Sequence, residues 1–171
     1  MTDSKHAGAI RIRSAVPADA EGIALTFMES AESHAELDPE RYWVPAAEPI
    51  VERYRSSAQH GPETGSEAIT LVAEVDGEIV GFLDAHLDRS RDPMHREITY
   101  CHIAEVAVRR GQRSRGIGEQ LLRAAEEWGK QMGAEFASLE FHAANTRAGS
   151  LYQERMGYRV AAHTAIKRLG Q

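Results

Sequence analysis

The chain reads as a mixed α/β domain, with elements in the order β-α-α-β-β-β-α-β-α-β. Three observations predict it. Residues 98–108 form a long, largely apolar run that suits a buried strand. Residues 116–132 place Ile117, Leu121, Leu122, Ala125, Trp128 and Met132 on one helical face. Asp76-Gly77 separates two strand-like runs, a strong hairpin signal.

The remaining elements follow in order. Residues 10–13 suit a short first strand. Pro17 opens a helical stretch, with Asp19 and Glu21 in the first turn, where the helix dipole favours acids, and with Ile23, Leu25, Phe27, Met28 and Ala31 as its apolar positions. A second, less regular helical piece covers 39–58 and is interrupted by Pro45 and Pro49. Residues 60–66 are a loop punctuated by Gly61, Pro62 and Gly65. The hairpin strands are 68–75 and 78–87, and 88–96 is polar and loop-like. Residues 109–115 form a basic, glycine-containing loop between the buried strand and the helix, which Gly133 caps. A strand over 135–142, a helix over 146–156 and a final strand over 158–168 complete the order. No repeat, low-complexity tract or linker divides the chain, so 1–171 is expected to be one domain, with 1–9 flexible.

Bulk properties exclude several classes. At 42% hydrophobic and 27% charged residues, the chain has a globular composition. No apolar run approaches the roughly 18 residues of a membrane span, and the first eight residues hold no apolar signal core. One cysteine, Cys101, excludes an internal disulfide framework and a cysteine zinc site, and reads as a small buried hydrophobe. No metal, membrane or nucleic-acid partner is expected, and the expected location is cytoplasmic. The net charge of −6 is uneven: −10 over residues 1–97 and +4 over 98–171. A basic half suits an anionic cosubstrate. Glu29, Glu32, Glu36, Asp38 and Glu40 in the acidic half either draw a cationic ligand or simply solvate two helices.

The chemistry concentrates in Arg113-Ser114-Arg115-Gly116-Ile117-Gly118. A buried strand feeds an arginine-rich loop that becomes a helix, bracketed by Gly116 and Gly118. A helix start offers unpaired N–H groups and a positive dipole end, which suit phosphate. Glycine allows close backbone approach, and arginine adds charge-assisted bonds. No Walker lysine and no third glycine of a dinucleotide fingerprint is present.

These residues resemble the R/Q-x-x-G-x-G/A signature of the GNAT superfamily of N-acetyltransferases. Ile103-Ala104-Glu105-Val106-Ala107-Val108 resembles that family's central strand. Leu139-Glu140-Phe141-His142-Ala143-Ala144-Asn145 resembles its next strand and asparagine. Ala148, Leu151, Tyr152, Gly157 and Tyr158 resemble the segment that follows. Residues 98–168 are covered closely, and 10–66 only in element order. One departure stands out: Arg109-Arg110 occupies a place where many members have an acid and a proline.

The resemblance implies a mostly antiparallel sheet flanked by helices, acetyl-CoA as acetyl donor, and no metal. It implies that backbone N–H groups of Arg113, Ser114, Arg115, Gly116, Ile117 and Gly118 cradle the pyrophosphate. Val106, Ala107 and Val108 would pair with the pantetheine arm as an added strand does, and Asn145 would hold that arm. Tyr152 matches the tyrosine that protonates the departing thiolate. Glu140, in a segment similar to that of ribosomal-protein N-terminal acetyltransferases, is the first choice of general base, with Glu105 and His102 as alternatives.

Two functions follow. One is direct acetyl transfer to a primary amine of a small molecule or a protein N-terminus. The other is a non-catalytic acyl-CoA-binding sensor on the same fold. The amine acceptor is not identified by the sequence, and a homodimer is the family's expectation.

Overall fold

The computed structural model describes residues 8–59, 66–90 and 93–169. The expectations for the extreme N-terminus and for most of the 60–66 loop lie outside these residues. The chain divides into two compact units, one ending at Glu140 and one starting at Phe141.

The first unit is a five-stranded sheet in the order β1-β2-β3-β4-β5, with β1 Arg11–Ser14, β2 Ala68–Val75, β3 Glu78–Arg89, β4 Thr99–Val108 and β5 Phe136–Leu139. Neighbours are antiparallel except β5, which joins β4 in parallel. This is the mostly antiparallel sheet expected. Asp76 and Gly77 turn the β2–β3 hairpin with φ values of 52° and 83°. Both lie in the left-handed region that a right-twisted hairpin requires, which asparagine, aspartate and glycine tolerate best.

Helices α1 (Ala20–Leu37) and α2 (Ala47–Gln59) cover one face of the sheet. Ile23, Tyr54, Val72, Phe82 and Ala107 form the core there, with Phe27 packed against it. Helix α3 (Ile117–Gln131) covers the other face. Glycine lets α3 approach the sheet closely. A Cβ on Gly129 of α3 would sit 2.4 Å from the Cys101 Cβ of β4. Gly81 of β3 lies where a Cβ would come 3.2 Å from Ile117 and 3.3 Å from Leu121.

Local differences from expectation have local causes. Pro17 opens a 3-10 turn, Pro17–Asp19, before α1 begins. The helix expected over 39–58 starts only at Ala47, beyond Pro45. Pro49 stands in its first turn, where a missing N–H interrupts no helical bond. The strand expected over 135–142 stops at Leu139, where the ladder with β4 ends.

In the second unit, α4 covers only Thr146–Gly149 and passes into a π-helical turn, Ser150–Arg155. The Met156 N–H reaches back five residues to the Leu151 carbonyl at 3.0 Å. The continuous α-helix expected over 146–156 is therefore widened by one residue at its end. The final strand expected over 158–168 is not formed. Tyr158, Val160, Thr164 and Ile166 carry strand propensity, but propensity produces a strand only where a ladder partner exists. Val160 and Ile166 are exposed there.

Candidate functional site

Strand β4 is the spine of the site. It pairs with β3 along Thr99–Val108 but with β5 only from Tyr100 to Ile103. Its register with β3 shifts between Asp84 and Ala85: Ala85 faces Ile103, while Asp84 faces Glu105. Ala104 is therefore an extra residue, a β-bulge beside a candidate site. Beyond it, Val106, Ala107 and Val108 lie on a stretch of β4 that has no strand neighbour on the β5 side among the described residues. Such a stretch can accept one more extended chain through its backbone groups.

The strand then enters the glycine-bracketed loop. A 3-10 turn, Arg110–Gln112, leads to Arg113, whose Nε donates to the Val108 carbonyl at 3.1 Å and ties the loop to the strand end. Ser114 has φ 67° and Gly116 has φ 77°. A serine at positive φ is uncommon, and such strain gathers where structure over-determines a functional loop. Arg115 bonds Gln112 and, at 3.1 Å, the Gly8 carbonyl. Gly116 caps α3, its carbonyl accepting the Gln120 N–H at 3.1 Å. Ile117 is buried and Gly118 is partly buried in the first turn, whose remaining N–H groups have no intrahelical acceptor by helix geometry. The two positive-φ residues, Ser114 and Gly116, turn the backbone into the helix start, the kind of setting in which backbone N–H groups gather around an anion.

Arg109 and Arg110, the residues that depart from the family pattern, anchor this loop to α1. The Arg110 N–H donates to Glu29 at 2.6 Å, and its guanidinium lies 3.3 Å from both Glu32 and Glu36. Arg109 lies 3.5 Å from Glu29 and 3.8 Å from Glu78. Glu29, Glu32 and Glu36 thus share ion pairs with Arg109 and Arg110, while Glu32 and Glu36 remain exposed.

On the α1–α2 side of β4 a cavity of about 210 Å³ is lined by Phe27, Ser30, His34, Tyr42, Trp43 and Glu105, among others. The Ser30 hydroxyl lies 3.5 Å from Glu105 Oε1. Burial pushes the Glu105 carboxyl above the usual carboxylate range. The neighbouring Asp84 adds to the push, while His34, Arg53 and the Ser30 hydroxyl partly oppose it. A carboxyl moved upward in a cavity is a better proton acceptor than one on the surface.

The other sequence-predicted residues are placed as follows. His102 is half-buried on β4, its Nδ1 3.1 Å from the Ser138 hydroxyl and its ring edge-on to His86. Glu140 is exposed, one residue past β5. Cys101 is buried and its thiol is pushed up to about 11 by burial and by Glu126, which leaves it a packing residue. Asn145 and Tyr152 belong to the second unit. Asn145 caps α4, its side-chain oxygen accepting the Ala148 N–H at 3.1 Å. Tyr152 stands in the π-helical turn, its ring 5.4 Å from that of Phe141 and 6.2 Å from that of Tyr158. Among the described residues no three histidine, cysteine or acidic side chains gather to hold a metal, and no helix is long and apolar enough to cross a membrane.

Residues 25–158 match the model of the Acetyltransferase (GNAT) family. The chain belongs to that family. Streptothricin acetyltransferase of Streptomyces lavendulae is 29% identical over 165 residues, which cover 90% of this chain and 83% of that protein. Shorter matches reach the uncharacterized N-acetyltransferase YhfO of Bacillus subtilis, 34% identical over 92 residues, and an N-alpha-acetyltransferase of Sulfurisphaera tokodaii, 33% identical over 97 residues. Each covers 54% of this chain, and 59% and 58% respectively of the relative, so the chain spans under two thirds of either. A solved structure of the BH1408 protein of Bacillus halodurans aligns with a TM-score of 0.82 at 22% identity, over 93% of this chain and 99% of that one. At that identity the likeness speaks to the fold.

The sequence pointed to β4 and its loop but not to the cavity. Ser30, His34, Tyr42 and Trp43 come from α1 and the segment after it, where no spacing signals a pocket. Asp84 did leave a trace: a carboxylate in the otherwise apolar run Ile79–Ala85 breaks the pattern of a buried strand.

Proposed function

We propose that the chain transfers an acetyl group from acetyl-CoA directly to a primary amine. The observation that carries this reading is the continuous path from the unpaired side of Val106–Val108 into the positive-φ loop and the start of α3. The strand side suits the amide-bearing pantetheine arm, and the loop and helix start suit the pyrophosphate. The Arg113–Gly118 backbone, with Asn145 through its amide donors, serves that cosubstrate. A backbone N–H of β4 polarises the thioester carbonyl.

The acceptor occupies the cavity beside β4. Aromatic walls and a carboxylate suit an ammonium group. A lysine-type amine has a pKa of about 10.4 and an α-amine about 8, so the amine must lose a proton before attack. We assign that proton to Glu105, which lines the cavity, rather than to the exposed Glu140. The amine nitrogen then forms the new C–N bond, the C–S bond breaks, and Tyr152 gives its proton to the departing thiolate. A thiol near pKa 8.5 needs only modest help in leaving. The acceptor is a small-molecule amine or a protein N-terminus; the relatives named for streptothricin and for N-alpha acetylation support one class each.

Thiol release from acetyl-CoA over a panel of primary amines tests the reading. Glu105→Gln and Tyr152→Phe should each slow release about 10²-fold, the low end for general acid–base groups, with CoA affinity little changed. CoA binding without amine-dependent thiol release would refute transfer and leave a binding module.

A further inference from the structure

Asp84 interrupts the apolar run of β3, and its side chain is only 15% exposed. Both of its oxygens accept hydroxyl bonds: Oδ2 from Tyr54 at 2.8 Å and Oδ1 from Thr70 at 2.7 Å. Each hydroxyl has a single proton to give, and both give it here. Arg53 reaches Oδ2 at 3.7 Å and lays its guanidinium over the Tyr54 ring. The carboxylate is therefore held from β2 and from α2 at once.

Directly opposite Asp84 stands Glu105. The bulge makes this pair. At the register of Ala85 and Ile103, Ala104 would face Asp84; the extra residue puts Glu105 there instead. Opposed residues hold their Cβ atoms about 4.5–5.5 Å apart, and like charges so placed repel. The bulge thus sets two acidic residues opposite each other in the sheet, an arrangement with an electrostatic cost.

Resting on the reading that Glu105 takes the amine's proton, we propose that Asp84 is a positioning residue for the reaction. Its pinned carboxylate holds a fixed negative charge beside Glu105 and keeps that side chain a ready proton acceptor. The groups facing Glu105 are Ser30 and His34 from α1, Arg53 and Tyr54 from α2, Asp84 from β3 and Tyr42 from the segment after α1. Burial raises the Glu105 carboxyl, Asp84 acts in the same direction, and His34, Arg53 and the Ser30 hydroxyl act against it. Removing the Asp84 charge must therefore lower the pH at which Glu105 ionises.

The test follows the Glu105 carboxyl by carbon-13 NMR in full-length protein labelled at glutamate, the signal assigned through Glu105→Gln. Wild-type Glu105 should titrate above the other glutamates. In Asp84→Asn its midpoint should fall on the order of one pH unit, and the acidic limb of kcat/KM, measured with the fastest amine of the panel, should move with it. Tyr54→Phe keeps the charge and the packing, so its midpoint should stay at or above that of wild type. The proposal is overturned if the Asp84→Asn midpoint stays put, if Tyr54→Phe lowers it equally, or if the kcat/KM limb fails to follow the midpoint. Should Asp84→Asn not fold, a wild-type Glu105 that titrates with the surface glutamates overturns it alone. Full activity in Glu105→Gln would instead refute the base assignment beneath it, which separates the two failures.

Discussion

Gly116 offers a clean test of the proposed cosubstrate site, because its environment separates backbone strain from charge. It sits at φ 77° and ψ 8°, and a Cβ there would meet nothing within 4 Å. Substitution costs no steric clash, only the left-handed backbone, about 1–2 kcal/mol for an ordinary residue and less for aspartate. Gly116→Ala therefore measures the backbone cost, and Gly116→Asp cannot exceed it on stability grounds. What Asp adds is a negative charge at the helix start. Two unit charges about 4 Å apart interact by roughly 1 kcal/mol in water and about 4 kcal/mol at an effective dielectric of 20. A mid-range value of about 2 kcal/mol corresponds to a CoA affinity roughly 30-fold weaker in the Asp variant than in the Ala variant. Calorimetric titration with CoA reads this ratio directly. The ratio should shrink between about 20 and 300 mM salt as the Debye length contracts. Equal affinity in the two variants would remove the phosphates from this loop.

Two further outcomes concern stability. Gly129→Ala gains about 1 kcal/mol of helix propensity, but its Cβ would lie 2.4 Å from the Cys101 Cβ and 2.8 Å from its sulfur. Helix α3 and strand β4 must then part, so a net loss of about 1–2 kcal/mol is expected in urea unfolding; a rise in the midpoint would contradict the packing. Asp19 is buried, and it accepts two Arg13 bonds at 2.6 and 2.9 Å and the Val16 N–H at 2.8 Å. Burial opposes its ionisation, yet Arg13 and the Val16 N–H hold it below the usual carboxylate range. The stability it contributes is thus complete above about pH 4 and is lost as pH falls through the lower folded value. Asp19→Asn should cost about 2 kcal/mol at pH 7, with the gap to wild type closing below pH 4. A gap that persists unchanged at pH 2 would show that the pair is not the cause.

Where a residue's role depends on near neighbours in the chain, the sequence was legible. The hairpin at Asp76-Gly77, the amphipathic α3 and the loop from Arg113 to Gly118 are all local patterns, and all stand where the residues put them. The strand propensity over 158–168 was also local, but a strand needs a ladder partner, and this segment has none among the described residues. The helix expected over 146–156 is present over 146–155, but it takes π winding from Ser150, which no propensity records.

The sequence by itself determined the family, the central strand and the glycine-bracketed turn before α3, because glycine placement, helix starts and apolar periodicity act over a few residues. Only the tertiary structure decided which charges meet. Arg109 and Arg110 lie 73 or more positions from Glu29, Glu32 and Glu36, and the packing of α1 beside the loop joins them. A single inserted residue, Ala104, set Glu105 against Asp84. Register and long-range pairing are properties of the assembled sheet, because a one-residue slip exchanges its two faces without changing any local preference.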